Sequence, residues 1–133
     1  MTQYLLARQL RHIAVAATCV LAGCSDPLAP FNPEVSNASD TFALQATAVT
    51  GVSDTRSYTW TNTGARATIN HSTKTTAGSV QLIIQDGAGT VVYDKALVPS
   101  LNEPTMSGRA GTWTVRVRMT GYSGTINFSA QKL

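Results

Sequence analysis

Only two cysteines occur in the 133 residues, Cys19 and Cys24, and nothing after them carries a thiol. From Ser25 onward the chain therefore has no disulfide, no thiol nucleophile and no cysteine ligand for a metal. Histidine is nearly as scarce, since His71 is the only one after His12. No apolar run has membrane-spanning length. The most apolar stretch, Ile13 to Ala22, has ten residues, roughly 15 Å as a helix against a hydrocarbon core of ~30 Å. Excess charge is small as well. Ten Lys/Arg stand against seven Asp/Glu, and two of the basic residues, Arg8 and Arg11, precede the apolar stretch. The remainder holds eight basic and seven acidic residues, which leaves no basic patch of the kind that nucleic acid requires.

What is present at the start is a charged segment, a short apolar segment and then Leu21-Ala22-Gly23-Cys24. The first two are the parts of a secretory signal. The last four residues resemble the lipobox of bacterial lipoprotein precursors. That resemblance implies removal of residues 1–23 and diacylglyceryl attachment to the sulfur of Cys24, with Leu21, Ala22 and Gly23 as the cleavage motif. Cys19 fits less well, because Ala16-Ala17-Thr18 lacks the large apolar residue three positions upstream. The implied location is the cell envelope, with the membrane as partner through the lipid. Ser25 rather than Asp follows the cysteine, which by the same resemblance favours the outer membrane.

Residues 24–40 are expected to form the lipidated end and a flexible tether, because Pro27, Pro30 and Pro33 remove backbone donors and fix φ. From 41 to 133 the composition turns to Thr, Val, Gly and Ser, with little Leu, Glu or Lys to favour helix. Apolar residues alternate with polar ones. In 112–119, Trp113, Val115, Val117 and Met119 share one face, while Arg116 and Arg118 stand on the other. Further strands are expected at 41–49, 56–61, 65–71, 79–85, 90–97 and 124–130. Turns are expected at Gly51 to Asp54, Asn62 to Gly64, Ala77-Gly78, Asp86 to Gly89 and Gly121 to Gly124. About seven short strands at this spacing predict an all-β, antiparallel β-sandwich, jelly-roll-like in cadence. Its expected core includes Trp60, Trp113, Phe42, Phe128, Ile69, Leu82 and Ile84.

The runs Leu82 to Tyr93 and Ala110 to Val117, with Gly121 to Phe128 after them, resemble small extracellular jelly-roll modules such as the bacterial pre-peptidase C-terminal domains. Those domains accompany secreted enzymes, and the resemblance implies a fold rather than an activity. A search for chemistry finds no catalytic set. His71 lies on the Ala67/Ile69 face and Ser72 on the opposite one, so no direct nucleophile–base pair forms, and His71 is expected near the surface at a strand end. Asp40, Asp54, Asp86, Asp94 and Glu103 fall at turns and strand ends. Asp86-Gly87-Ala88-Gly89 lacks the ligand series of a calcium loop and predicts a hairpin turn. No cofactor or metal is expected.

Two regions remain for binding. One is the loop 99–111, with Met106 and Arg109 as its adhesive groups. The other is the wet strand face with Arg116 and Arg118. The expectation is a non-catalytic binding or structural module, with an envelope protein or a glycan as partner. A carbohydrate-binding module using Tyr58, Tyr93 and Tyr122 is one alternative, and a small envelope hydrolase is another.

Overall fold

The computed structural model describes residues 26–133. The signal segment, Leu21, Ala22, Gly23 and the acylation candidate Cys24 lie outside the described residues. Seven antiparallel strands make one hydrogen-bonded sheet, and no α-helix occurs among the described residues. The strands are β1 (Glu34–Ala38), β2 (Thr41–Asn62), β3 (Ala67–His71), β4 (Lys74–Gln85), β5 (Val91–Ala96), β6 (Leu101–Pro104) and β7 (Gly111–Lys132). The path of neighbours is β1-β2-β7-β3-β6, and β4 joins β7 to β5.

β2 and β7 have 22 residues each, about 70 Å if fully extended. Neither stays extended. The Asp40 amide, just before β2, donates to the carbonyl of Thr61 near its other end at 2.8 Å. The strand therefore doubles back on itself. The reversal falls where the β2–β7 register slips, between Ala46 and Asp54, and Ala48 and Gly51 have φ of 52° and 60° there. β7 bends at Gly121 and Gly124, and β4 at Gly78. Extra residues inserted in a ladder kink a strand and strengthen its twist. The bends are cross-braced, because the Gly51 amide donates to Ser123 Oγ at 2.9 Å and the Gly121 amide to Ser53 Oγ at 2.7 Å.

This corrects three expected turns. Gly51 to Asp54 and Gly121 to Gly124 are not turns between separate strands, and Ala77-Gly78 lies inside β4. The residues that tolerate φ > 0 in a turn do the same in a bulge. The turns at 62–64 and 86–89 are real. Asn62 Oδ1 accepts from the Gly64 amide, and Asp86 Oδ1 accepts from the amides of Ala88 and Thr90.

Folding over divides the sheet into two halves. One contains β1, β3 and β6 with the first part of β2 and the last part of β7. The other contains β4 and β5 with the remaining parts. All seven expected core residues are at most 1% exposed. Phe42 of one half meets Tyr58 of the other at 5.5 Å between ring centroids, and within one half the paired Trp60 and Trp113 meet edge-on at 5.8 Å, a favourable aromatic geometry.

The segment expected as a tether belongs to the fold. Leu28 is completely buried in the common core, and Phe31 packs against that core. Asp26 pairs with Arg56 at 3.2 Å, and β1 is hydrogen-bonded along β2 from Glu34 to Ala38. The prolines permit this because Pro27, Pro30 and Pro33 all precede β1, and β1 is an edge strand. All five residues of β1 are exposed, so it leaves no apolar alternation to read. Likewise β6 occupies part of the expected 99–111 loop, pairing with β3.

Candidate functional site

β3 alternates in burial, with Ala67, Ile69 and His71 inward. The inward face expected for His71 is observed, but its surface position is not, since the residue is only 1% exposed. β6 lies beside β3 and brings Glu103 opposite Ile69. β5 presents Tyr93 and Lys95, two residues apart and so on one face. These two edge strands belong to opposite halves of the sheet. Their meeting seam is tied by the Met106 amide, which donates to the Val92 carbonyl at 2.9 Å.

Inside this seam the Tyr93 hydroxyl is 2.9 Å from His71 Nε2 and donates to Glu103 Oε1 at 2.9 Å. Lys95 Nζ reaches the same carboxylate oxygen at 2.6 Å and lies 5.8 Å from the centroid of the Tyr93 ring. An ionised carboxylate only accepts, so the tyrosine proton points to Glu103. His71 must then donate from Nε2, which leaves Nδ1 as a bare lone pair. Nδ1 is buried without a partner.

The electrostatics follow from that arrangement. Burial holds the His71 pKa below its usual 6.5, opposed by the Glu103 charge and reinforced by Lys95. Hydrogen bonds from Lys95 and Tyr93 hold Glu103 below the usual carboxylate range. Burial first, then the bond to Glu103, pushes the Tyr93 hydroxyl well above its usual value. The cluster is thus a neutral imidazole and a neutral phenol beside a lysine–carboxylate pair.

A stability prediction results, with its sign set by linkage. Below pH 6.5 the unfolded chain protonates His71 while the folded chain still resists. Stability therefore falls as pH is lowered from 6.5 toward the depressed folded value. A melting series from pH 8 to 5 should show this decline, and His71→Gln should lack it. The carboxylate shifts act only below this window, since they start from 3.8 or 4.5 and go down.

Outside the cluster opens a cleft of about 290 Å³ lined by residues 91–95, Pro104 and Met106. Met106 is 71% exposed and Val91 44%, two of the few large apolar side chains at the surface. Arg109 contributes to structure through its backbone. Its amide donates to Asp86 Oδ2 at 2.8 Å, and its carbonyl accepts from Trp113 Nε1 and the Gly87 amide. Its side chain is exposed. These bonds hold the Asp86 carboxyl below its usual range, led by the Arg109 amide.

Arg116 and Arg118 share the outer face of β7 as expected, with Arg116 Nε 3.4 Å from Ser57 Oγ. Their side chains point away from the core, on the face that β4 continues to Asp94 of β5, a residue of the cleft lining. Ser72 does not meet His71 but accepts from Asn127 Nδ2. Tyr93 and Tyr122 are buried and Tyr58 is half-buried, so the three tyrosines form no surface row. The Tyr93–His71–Glu103–Lys95 set was not evident in the sequence. Only the alternation of Tyr93 with Lys95 signals any part of it, whereas His71 and Glu103 meet through β3–β6 pairing. Compared with known proteins, the chain matches no family model and no curated sequence.

Proposed function

We propose that this chain is an acyl-anchored lipoprotein of the cell envelope, whose folded-over sheet is a jelly-roll-like β-sandwich acting as a non-catalytic binding or structural module. The observation that carries the reading is the Leu21-Ala22-Gly23-Cys24 motif, followed two residues later by the ordered Asp26 and the buried Leu28. A sandwich is supported by the meeting of the two ends of β2 and by the aromatic contact between the two halves of the sheet.

A binding rather than catalytic role is supported by the state of His71. Its Nε2 is committed to Tyr93, its Nδ1 is sealed, and no hydroxyl nucleophile lies on it other than the phenol. A glycan-stacking role is not favoured, since every Trp and Tyr among the described residues is buried or half-buried. The Met106 cleft and the Arg116/Arg118 face are the surfaces left for partners.

The test is acylation of the full-length chain in a bacterial host. Mass spectrometry of the N-terminal peptide should show Cys24 carrying lipid, and detergent should be needed to extract the protein. Cys24→Ala should lose the lipid and leave the membrane fraction. An unmodified Cys24 in the wild-type protein would defeat the reading.

A further inference from the structure

The expected sixteen-residue tether is missing, and this fixes how an anchored domain meets its membrane. Asp26 is held at Arg56 and by the Leu28 amide, which donates to its Oδ1 at 2.9 Å. Leu28 is fully buried. Only Ser25 separates Asp26 from Cys24, so the two Cα atoms are at most about 7 Å apart. That is less than the Debye length of ~8 Å at physiological ionic strength. A lipid on Cys24 would therefore hold the Asp26–Arg56 edge of the domain within the electrostatic field of the headgroups.

Two further guanidiniums lie near that edge on the outer face, whereas Arg56 opposes the buried Val117 and so points to the inner side. Arg56 is followed by Ser57, which pairs with Arg116 across the β2–β7 ladder, and Thr55 pairs with Arg118. The arginines stand one strand in from the edge, about 5 Å. Neither forms a salt bridge among the described residues. The nearest carboxylates on these strands are engaged or peripheral. Asp94 accepts from the Gln81 amide, and Asp54 accepts from the Thr55 amide at 2.7 Å.

The rest of the face is Thr55, Thr59, Thr114, Gln81 and Gln85, with Ile83 only 7% exposed, and β5 adds the exposed Asp94 opposite Ile83 and Val91 opposite Gln85 at its far side. Protein interfaces centre on apolar anchors, and around Arg116 and Arg118 this face offers none, its exposed Val91 lying on β5, two strands away from β7. Phosphate oxygens, by contrast, suit two long unpaired guanidiniums among hydroxyls and amides. We infer that the outer face around Ser57, Arg116 and Arg118 rests on anionic phospholipid headgroups of the leaflet that holds the lipid. This inference depends on the acylation of Cys24 proposed above.

The experiment uses the full-length acylated protein in vesicles of phosphatidylcholine, with or without phosphatidylglycerol. Ser57→Cys and Asn70→Cys each carry a fluorophore, and a spin-labelled headgroup lipid serves as quencher. Ser57 is on the proposed face, and Asn70 is exposed on the opposite half of the sheet. Acylation at Cys24 is established first by mass. On phosphatidylglycerol vesicles the Ser57 label should be quenched at least about twofold more than the Asn70 label, because basic residues near an anionic surface add to attraction. The difference should shrink in high salt and vanish in Arg116→Glu/Arg118→Glu, whose unchanged melting would exclude misfolding.

Equal quenching of both labels on an acylated protein would overturn the face and leave the anchor standing. Quenching at Ser57 that ignores the double substitution would also overturn it. An unacylated Cys24 would overturn both. Protection of the Ser57 label in cells but not on vesicles would reassign the face to a protein partner.

Discussion

Leu28→Ala should destabilise the domain by about 2–5 kcal/mol, the usual cost of truncating a fully buried leucine. For a domain of this size the melting temperature should fall by about 10 °C or more. The size of the effect discriminates, because a leucine in a solvated linker would change stability by no more than about 0.5 kcal/mol. Leu28 lies between Pro27 and Pro30, with no apolar neighbour nearer than Phe31 except Ala29. Its contribution comes from full burial in the common core. Val35→Ser is the control, since Val35 on β1 is 42% exposed and should tolerate the change. Thermal unfolding of the full chain would settle the comparison, and a silent Leu28→Ala would return residues 26–33 to the status of a linker.

Gly124→Ala should be comparably severe, at about 3 kcal/mol or more from strain and overlap together. Gly124 has φ of 141°, which disfavours any side chain. A Cβ there would also collide with the Lys74 carbonyl and come within 2.9 Å of the Tyr122 hydroxyl. The Lys74 carbonyl is the acceptor of the Tyr122 hydroxyl at 3.1 Å, so the added methyl would break the junction of β4 with the bend of β7. Gly51→Ala separates the two contributions. Gly51 has φ of 60° with nothing within 4 Å of its added Cβ, so it should cost only the ~1–2 kcal/mol of a left-handed residue. Urea midpoints of the two variants measure the difference. Equal losses would show that conformation alone, without the close approach of β4, sets the requirement for glycine at 124.

The alternation in 112–119 was sufficient to place Trp113, Val115, Val117 and Met119 inside and Arg118 outside, because a pleated strand has a side-chain period of two wherever one face is dry. The same period gave the inward direction of His71. It did not give its burial, which arises when β6 pairs beside the residue and Tyr93 of β5 comes against its ring. Strand number came out at seven, but not the same seven. Two pairs of expected strands are single bent strands, and two strands, β1 and β6, replace them. β1 has no buried residue, and β6 has four residues with Pro104 at its end. Neither leaves enough apolar pattern to be read.

The amino-acid sequence by itself determined the all-β class, the apolar faces that form the core, and five of the six glycines at which the backbone takes positive φ. These are local properties, set by side-chain chemistry within a few residues. It also supplied the resemblance of Leu21-Ala22-Gly23-Cys24 to a lipobox, which rests on four adjacent letters. Only the tertiary structure decided whether a glycine-containing segment turns the chain or bends a continuous strand, since both use the same dihedral freedom. It alone made Leu28 part of the core and brought His71, Tyr93, Lys95 and Glu103 together. Those contacts join residues up to 32 positions apart through strand pairing, and pairing is selected by the packing of the whole sheet.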